Sequence, residues 1–478
     1  MKISENIEPK QVMRYFEDIC AIPHGSTDTK AICDYCESFA KKHGFQYYRD
    51  LMNNIIIACP ASPGYESSPA VILQGHLDMV CEKDPGYDFD FSKDGLHLLS
   101  DGDFIYAQHT TLGGDDGIAV AMALAVMSDA SILHPKIEAV FTVDEEIGMT
   151  GATGIDLSML EGRTLINIDS ENEGVLTVSC AGGACAKSTI PVRYEKHSGN
   201  VYKIEVDGLC GGHSGMEINS GRANADILIG RLLYAAAKRH DIRIAELCGG
   251  LKDNAIPSSA AAVIISKDDI YDIIKKYESL FGNEYKSTDS DIRIKASLLG
   301  SYAKNALDDD STKRVLTYLI LAPNGVQRMS SDIEGLVQTS LNLGILKLDM
   351  QSLTACHSVR SSCESEKQLL NERIKALAAL LGGAAEISGE YPAWEYRPDS
   401  RLRRIMTEVF IEQYGHEPKT EAIHAGLECG ILCGKLENLD CVSIGPDLLD
   451  IHTPRERMSI SSVQRVWKYI KEVLKRLK

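Results

Sequence analysis

No stretch of this sequence approaches the roughly 20 consecutive apolar residues that a membrane-spanning helix needs, and positive charge is scarce. The 478 residues include 50 Lys and Arg against 68 Asp and Glu, a formal net charge of −18. This balance argues against nucleic acid or an anionic membrane as a partner. The first ten residues, MKISENIEPK, are polar and offer no secretion signal. We therefore expect a cytoplasmic protein that is long enough for two domains.

The 14 cysteines are expected to be reduced thiols, because nothing in the sequence directs the chain to an oxidising compartment. Cys33 and Cys36 form a C-x-x-C, but the surrounding AICDYCESFAKK has helical spacing. This favours core packing over redox or zinc chemistry. Cys429 has no supporting base motif nearby, so we do not expect a thiol nucleophile.

Three consecutive acids follow a short apolar run in AVFTVDEEIGMTGA, where Ile137 to Val143 stops at Asp144, Glu145 and Glu146. Such a run suits a strand buried on both faces of a parallel sheet, and open α/β sheets carry their sites beyond the carboxyl ends of the strands. Successive side chains of an extended chain point opposite ways. One of the two glutamates can therefore bind an ion while its neighbour faces a substrate. A solvated acidic turn is the alternative for an isolated DEE.

A second predicted strand, PAVILQGHLDMV, ends in His76-Leu77-Asp78. Residues i and i+2 of an extended segment lie on one side, so Asp78 can accept a hydrogen bond from the far nitrogen of His76. This is the usual support for a metal-bound imidazole, although an H-x-D triplet alone is common.

The stretch TLGGDDGIAVAMALAVM places two glycines and two acids before an apolar helix from about Gly117 to Met127. A glycine-rich turn before a helix suggests a phosphate loop, but there is no Lys-Ser/Thr, and paired acids would repel phosphate. We interpret Asp115 as a cation ligand, with a helix N-cap as the alternative.

Two more apolar strands complete the pattern, Leu165 to Ile168 before Asp169, and Val442 to Ile444 before a loop with His452. Each candidate ligand thus lies at a strand end or at the turn into a helix: His76, Asp115, Glu146, Asp169 and His452. Three carboxylates and two neutral imidazoles suit two divalent cations. Oxygen and imidazole ligands without thiolate favour zinc, manganese or cobalt over a structural cysteine site.

The stretches GHLDMV, LGGDDG, VDEEIGMTGA and NIDSE, with the late His452, resemble the dinuclear-zinc exopeptidase family of glutamate carboxypeptidases, aminoacylases, tripeptidases and bacterial cytosolic dipeptidases. The resemblance covers essentially the whole chain. It is closest to the cytosolic dipeptidases through GGHSGMEI, DNAIPSSA, PNGVQRMSSD, HAGLECGIL and SIGPDLLDIHTPRERM. It implies an α/β fold with a mixed, largely parallel central sheet flanked by helices, and an inserted α+β lid domain.

The resemblance also implies how the ligands divide between two metal ions. Asp115 would bridge both ions, His76 and Asp169 would complete one site, and Glu146 and His452 the other. The cofactors would be two divalent ions, zinc first, with manganese or cobalt able to substitute.

The implied activity is hydrolysis of dipeptides with free N- and C-termini, Xaa-His among them. Glu145 would be the general base for a metal-activated water, and Asp78 the acid that orients His76. The same metal core would also serve an aminoacylase, a tripeptidase or a carboxypeptidase. A non-catalytic binding protein on this fold is an alternative from another class.

The predicted domains are residues 1–186, the first part of the catalytic domain, residues 187–389, the lid, and residues 390–478, the second part. The lid is longer than one small βα unit, and we expect a doubled βαβ unit with its second half from about residue 291 to residue 389. Two arrangements stay open. Either a homodimer forms through the lid and the partner subunit supplies the lid histidine, or the doubled lid supplies it within one chain.

Three residues of the predicted lid, and His424 in the second part of the catalytic domain, are further candidates, which we call the lid-type residues. The resemblance implies that His213 in GGHSG donates a hydrogen bond to a developing oxyanion, and that Asn254 and Arg360 bind substrate. Arg360 would grip a carboxylate through a bidentate pair. A surface histidine, a turn asparagine and a rim arginine are the alternatives. His424 in IHAGLECG is balanced between lining the pocket and packing in the core.

Overall fold

The structure, a computed structural model, describes residues 5–478. Residues 1–4, which begin the segment predicted to lack a secretion signal, lie outside the described part. The chain divides into two compact units. Unit 1 holds the residues up to Ser179, Tyr396–Ala422 and Leu427–Lys478, and unit 2 holds Cys180–Glu395 and Ile423–Gly426. The domain boundaries at 186/187 and 389/390 stay a prediction.

The α-helices in residues 5–478 range from five to 17 residues. They are α1 (Lys10–Cys20), α2 (Lys30–His43), α3 (Gly114–Ser128), α4 (Thr150–Gly154), α5 (Ala225–Ala237), α6 (Tyr271–Glu284), α7 (Asp309–Leu321), α8 (Glu364–Leu380), α9 (Arg401–Tyr414), α10 (Glu428–Lys435) and α11 (Ile460–Arg476). Cys33 and Cys36 are buried on α2, in agreement with the predicted core packing. No helix of this part of the chain is both long and apolar enough to cross a bilayer.

The strands before residue 192 are β1 (Gln46–Arg49), β2 (Ile55–Cys59), β3 (Val71–His76), β4 (Leu98–Asp101), β5 (Phe104–Ala107), β6 (Ile137–Thr142), β7 (Thr164–Asn167), β8 (Val175–Cys180) and β9 (Gly182–Pro191). The later strands are β10 (Tyr194–Asp207), β11 (Gly212–His213), β12 (Ile242–Gly249), β13 (Ala255–Ile256), β14 (Ala260–Ser266), β15 (Arg293–Leu307), β16 (Gly325–Met329), β17 (Val337–Leu348), β18 (Ser352–Ser361), β19 (Ala384–Tyr391), β20 (Lys419–Ile423), β21 (Asp440–Ser443), β22 (Leu448–Leu449) and β23 (Arg457–Ser459).

Unit 1 is built on an eight-stranded sheet of order β1-β2-β6-β3-β7-β21-β8-β20. Its centre, β6-β3-β7-β21, is parallel, while β2 and β8 run antiparallel on either side of that centre. Strands β3 and β6 are buried along their whole length, as their continuous apolar runs predict. Helix α3, apolar on nearly every side, packs on β3 and α1. These findings confirm the predicted mixed α/β fold.

The parallel centre of this sheet determines where its polar residues meet. Strands β6, β3 and β7 are neighbours, and the carboxyl ends of parallel neighbours lie at one edge. Unit 1 also contains a separate four-stranded sheet, β22-β23-β5-β4, in which two late strands pair with two early ones. The loop that carries His452 runs between β22 and β23 of that sheet.

Unit 2 is built on one nine-stranded sheet of order β15-β10-β14-β12-β17-β18-β9-β19, with β16 paired to β17. Its strand pairs are antiparallel. Helix α5 packs across β10, β12, β14 and β17, and its buried leucines share a single apolar core with Ile204, Ile264 and Leu343. Strands from before and after residue 291 therefore stabilise one sheet and one core.

Candidate active site

The five predicted ligand residues meet in unit 1 as a continuous chain of contacts. His76 Nε2 lies 3.0 Å from Asp115 Oδ1 and 3.6 Å from Asp169 Oδ1. Asp115 Oδ2 lies 3.2 Å from His452 Nε2, which is in turn 3.0 Å from Glu146 Oε1. The two oxygens of Asp115 thus face two different imidazoles, as a bridging carboxylate must.

Each of these side chains is brought to the site by the end of an element. His76 is the last residue of β3 and Asp169 follows β7 by two residues. Glu146 lies in the turn after β6, and His452, with a φ of +59°, lies in the loop after β22. Asp115 follows Gly113, whose φ is +65°, and Asp115 and Asp116 are themselves not helical. Regular helix therefore begins at Gly117, as predicted.

The donor groups fit divalent cations. Ligand atoms of Asp115, Glu146 and His452 all lie within 4.8 Å of one another. A second such group holds His76 and Asp169 together with Asp116, which the sequence reasoning did not select. Carboxylate oxygens and imidazole nitrogens without thiolate are the donors that suit zinc, manganese or cobalt.

The pKa values of the two histidines show that the site favours positive charge. Hydrogen bonds to Asp115 and Glu146 raise the pKa of His452 to about 10. Burial alone would lower the pKa of His76, yet Asp115 and Asp169 raise it well above its usual value. The carboxylates thus favour positive charge at the two rings. A divalent cation would supply that charge instead, since an imidazole must be neutral to bind it.

The structure corrects one premise about Glu145 and Glu146. Strand β6 ends at Thr142, and Asp144 has a φ of +56°. The carbonyl of Glu145 then accepts a hydrogen bond from the main-chain N–H of Met149 at 2.9 Å. The two glutamates therefore lie in a turn and not in an extended chain, so the alternation expected of a strand does not apply to them.

Glu145 nevertheless lies where a general base is needed. Its carboxylate is grouped within 4.8 Å with ligand atoms of His76 and Glu146. Burial, together with the charges of Asp169 and Glu428, raises the pKa of Glu145 to about 9. A carboxylate with an increased affinity for a proton is suited to taking one from water.

Asp78 supports the site in a different way from the predicted one. His76 Nδ1 donates to the main-chain carbonyl of Asp78 at 2.9 Å, while the Asp78 carboxylate lies 3.6 Å from that nitrogen. The carboxylate accepts hydrogen bonds from Ser26 Oγ at 2.8 Å and from the main-chain N–H of Glu145 at 3.1 Å. The His76 tautomer is therefore fixed with Nε2 towards the other ligands, and Asp78 also holds the turn that carries Glu145.

Glu456 is a buried residue of the site that sequence reasoning missed. Its carboxylate accepts hydrogen bonds from the main-chain N–H groups of Leu112 at 2.8 Å, Gly113 at 3.2 Å and Gly114 at 2.8 Å. It therefore fixes the turn that presents Asp115, although the two segments are more than 300 residues apart in the chain. Its position four residues after His452 was the available signal, but spacing alone does not identify its partners.

In unit 2, His213 is held in one tautomer. Its Nδ1 accepts hydrogen bonds from the main-chain N–H groups of Gly215 at 3.2 Å and Met216 at 3.1 Å. The proton of the neutral ring must therefore be on Nε2, which can act as a donor. Burial, followed by the charge of Arg360, lowers the pKa of His213, which favours that neutral ring.

Arg360 is buried at 9% exposure, and no carboxylate forms an ion pair with it among residues 5–478. Its Nη1 donates to the Tyr391 hydroxyl at 3.1 Å, while Nε has no hydrogen-bond partner in the same range. A buried guanidinium without an anion is costly. A substrate carboxylate would satisfy it.

The other two lid-type residues lie beside these groups in unit 2. The Ser340 hydroxyl is 2.7 Å from His424 Nε2, and Ser340 is paired with Arg360 across β17 and β18. Burial and then the charge of Arg360 lower the pKa of His424 to about 4. Asn254 is exposed, and its main-chain carbonyl accepts from the N–H of Ser214, next to His213. We call His213, Asn254, Arg360 and His424 the lid cluster.

Comparison with known proteins gives relatives over the whole length. The cytosol non-specific dipeptidase of Escherichia coli (strain K12) is 36% identical over 484 aligned residues, which cover 98% of this chain and 98% of the relative. The crystal structure of the aminoacylhistidine dipeptidase from Vibrio alginolyticus matches with a TM-score of 0.94 at 35% identity, over 99% of this chain and 98% of that one.

A more distant structure, the aminopeptidase PepT from Bacillus cereus, shares the fold, with a TM-score of 0.56 at 14% identity over 98% of this chain and 99% of that one. The family model described as Peptidase family M20/M25/M40 matches residues 72–476, a range that includes every candidate metal ligand. On this match and the two full-length relatives, the chain belongs to Peptidase family M20/M25/M40.

Proposed function

We propose that this protein is a metal-dependent dipeptidase that hydrolyses dipeptides with free amino and carboxyl termini, Xaa-His among them. The observation that carries the proposal is the contact chain Asp169–His76–Asp115–His452–Glu146, with Glu145 beside it. The dipeptidase names of the two full-length relatives support the choice of substrate class. The name of the Escherichia coli relative also supports the predicted cytoplasmic location.

The five ligand residues would hold two divalent cations, zinc first, which when bound would activate the attacking water and polarise the scissile carbonyl. Asp115 faces both imidazoles and is our candidate for the shared ligand. Glu145 takes a proton from the attacking water and returns it to the leaving amine. Asp78 holds the His76 ring and the turn of Glu145 in place.

The lid cluster is proposed to bind the substrate. Arg360 binds the carboxylate of the dipeptide, because its buried guanidinium has donors to offer and no carboxylate among residues 5–478 forms an ion pair with it. His213 donates its Nε2–H to the oxyanion that develops on the scissile carbonyl. His424 is kept neutral beside Arg360 and lines the carboxylate site. Asn254 is assigned to substrate binding on its position next to His213.

The test is hydrolysis of a substrate panel by metal-stripped protein, before and after zinc, manganese or cobalt is restored. The panel holds β-alanyl-histidine, glycyl-histidine, leucyl-glycine, a tripeptide and an N-acetyl amino acid. We expect cleavage of the dipeptides after metal is added and no cleavage before. A zinc-restored Asp115→Ala variant is the matched control for trace contaminating peptidase.

Other outcomes would identify the alternatives. Cleavage of the tripeptide alone would favour a tripeptidase, and cleavage of the acetylated compound alone an aminoacylase, on the same metal core. No cleavage with any of the three metals would contradict the enzyme and favour a binding protein.

A further inference from the structure

Three buried polar residues lie side by side just before the ligands of the sheet. Gln74 on β3, Thr142 on β6 and Asn167 on β7 are each at most 1% exposed. Gln74 is paired directly with Asn167, and Thr142 is paired with His76, in the parallel registers of the sheet. Gln74 precedes His76 by two residues on β3 and therefore shares its side of the strand, and Asn167 is the last residue of β7, two residues before Asp169. Polar side chains inside such a buried sheet must satisfy one another.

Glu428 joins these three strands. Its Oε2 accepts hydrogen bonds from Gln74 Nε2 and from Thr142 Oγ1, both at 2.6 Å. Gln74 Oε1 in turn accepts from Asn167 Nδ2 at 2.6 Å. The series Thr142–Glu428–Gln74–Asn167, which we call the polar ladder, thus crosses β6, β3 and β7 in order. All four side chains belong to unit 1.

The hydrogen bonds of Glu428 are not those of an ordinary helix-terminal acid. Glu428 is the first residue of α10, where a carboxylate usually accepts from the free N–H groups of its own helix or complements the helix dipole. Here the side-chain hydrogen bonds observed in the described residues go to two strands of the sheet. The residue is also completely buried, which a role at a solvated helix end does not require.

We propose that Glu428 is a positioning residue for the metal centre, which acts through Gln74 and Thr142 to set the ends of β3 and β6 relative to each other. This inference rests on the proposed function, because it takes the residues at those strand ends to be metal ligands. One end carries His76, and the other leads into the turn of Glu145 and Glu146. Asn167 extends the same restraint to the end of β7, which leads to Asp169.

The physical basis is the narrow tolerance of a metal site. Partners outside the ligand set orient the ligands, and their loss typically weakens metal affinity about 10- to 100-fold. Without the Glu428 carboxyl, the Gln74 amide and the Thr142 hydroxyl lose their shared acceptor in a place that water does not reach. The two groups would then keep only longer hydrogen bonds, from Gln74 Nε2 to Thr142 Oγ1 at 3.3 Å and from Thr142 Oγ1 to the main-chain carbonyl of Gly75 at 3.4 Å. The positions of the two strand ends would therefore be less firmly fixed.

The experiment measures zinc affinity of metal-stripped protein by competition with a chelator, and the absorption spectrum of the cobalt-substituted protein, which reports ligand geometry. Glu428→Ala removes the shared acceptor, and Glu428→Gln restores an acceptor oxygen of the same reach. Thr142→Val removes one donor without changing the size of the side chain. Stability is measured in parallel by urea unfolding.

The matched control is Glu138→Ala. Glu138 is a buried acid on the same strand β6, at its opposite end, where it accepts from the main-chain N–H of Gly162 at 2.9 Å and pairs with Lys136. Its removal also leaves buried donors unsatisfied in this sheet. It should therefore lower stability as a ladder variant does, and leave zinc affinity and the cobalt spectrum unchanged.

For Glu428→Ala we expect zinc affinity to fall about 10- to 100-fold with an altered cobalt spectrum, and for Glu428→Gln we expect near-wild-type values. Thr142→Val should fall between them, and its effect should be smaller in the Glu428→Ala background, because the Thr142–Glu428 hydrogen bond is already lost there. Wild-type zinc affinity and spectrum in Glu428→Ala would overturn the inference, as would an equal loss in Glu138→Ala.

Two further results are decisive. If Glu428→Ala does not fold, Thr142→Val carries the test, and unchanged zinc affinity and spectrum in that variant overturn the inference. If the wild-type protein itself binds no zinc, manganese or cobalt, the proposed function fails, and this inference fails with it. Wild-type binding with unaffected ladder variants leaves the proposed function intact and refutes the positioning role alone.

Discussion

At the scale of single residues, neighbouring acids of this chain differ because their surroundings differ. Asp115 turns its two oxygens towards two imidazoles, which lower its pKa despite its burial. Asp116, one residue later, has a pKa raised well above its usual value by burial and by the charge of Asp169. The sequence shows two equal aspartates. Their environments thus shift the pKa values of the two side chains in opposite directions.

Glu145→Gln tests the general base. Glutamine cannot take a proton from water, so kcat on glycyl-histidine should fall about 100- to 10,000-fold. Metal content, measured by elemental analysis, should stay at the wild-type level, because Glu145 is not among the proposed ligands. A variant with near-wild-type kcat would contradict the assignment, and one that loses metal would move Glu145 into the ligand set.

Arg360→Ala tests the carboxylate site. The lost charge-assisted hydrogen bonds are worth about 1.5–3 kcal/mol, so kcat/KM for a dipeptide should fall roughly 10- to 100-fold. The same dipeptide with an amidated carboxyl end is the matched control, since it offers no anion to the guanidinium. We expect its hydrolysis to be nearly insensitive to the substitution. Equal losses for both substrates would show that Arg360 supports the fold and does not bind the carboxylate.

At the scale of elements, the site depends on how strands end. Strand β6 ends at Thr142, and Asp144, with a φ of +56°, turns the chain. The carboxylates of Glu145 and Glu146 then both lie close to His76. The Asp78 carboxylate, from the end of β3, fixes that turn through the main-chain N–H of Glu145. The residues that follow β3 thus fix the turn that follows β6, so the positions of Glu145 and Glu146 depend on both strands.

The turn that leads into α3 gives an element-scale prediction. Glu456→Ala leaves the buried N–H groups of Leu112, Gly113 and Gly114 without their acceptor, which should cost about 1–3 kcal/mol for each group that stays unsatisfied. The same turn presents Asp115. Zinc affinity, measured by chelator competition, should therefore fall about 10-fold or more, the loss typical when a residue that orients a metal ligand is removed.

The control for Glu456→Ala is Asp308→Ala, which removes the N-cap hydrogen bond to the main-chain N–H of Ser311 at the start of α7 in unit 2. It should lower stability by about 1 kcal/mol and leave zinc affinity unchanged. If Glu456→Ala binds zinc as tightly as the wild type, the turn does not need this carboxylate to present Asp115.

At the scale of the whole molecule, the two units have different charge requirements. The acidic chain gathers its carboxylates around two histidines in unit 1, where bound cations would relieve their mutual repulsion. Unit 2 instead buries a neutral His357 with no hydrogen-bond partner for either ring nitrogen in the described residues, and a neutral His424 beside Arg360. Lowering the pH should therefore protonate carboxylates around the candidate ligands in unit 1 and buried histidines in unit 2.

The pH dependence of unit 2 follows from these two histidines. Burial lowers the pKa of His357 to about 4, and burial with the charge of Arg360 does the same for His424. An unfolded histidine has a pKa of about 6.5, so the unfolded chain binds more protons between pH 6.5 and 4. The contribution of each of these two histidines to the free energy of unfolding should thus be constant above that window and fall by about 3 kcal/mol across it.

His357→Leu should remove about 3 kcal/mol of this loss, measured by urea unfolding from pH 7.5 to pH 4 in one metal state. All other titrations, including those of the metal ligands, are common to both proteins and cancel in the comparison. His416→Leu, at an exposed position, is the control, because the expected effect of His357→Leu depends on burial of the ring. An identical acid loss in His357→Leu and wild type would contradict the prediction.

Much of the fold and of the metal centre could be predicted because both depend on local patterns. The apolar runs before His76, Glu145 and Asp169 predicted buried parallel strands, and the structure has β3, β6 and β7 there. Parallel strands present their ends at one edge, so the ligands that follow these strands could be expected to lie close together. The lid-type residues came from resemblance alone, and their roles stay predictions.

Local patterns do not predict contacts between residues that are far apart in the sequence. Spacing and side-chain chemistry were enough to predict the buried strands before the candidate ligands and the identity of those ligands, while the mixed α/β class followed from the family resemblance. Only the folded chain shows that Glu145 and Glu146 lie in a turn, that Asp116 joins a ligand group, and that Glu456 and Glu428 contact the segments that carry the ligands. Those facts depend on which buried donor meets which acceptor, and that is settled when distant segments pack together.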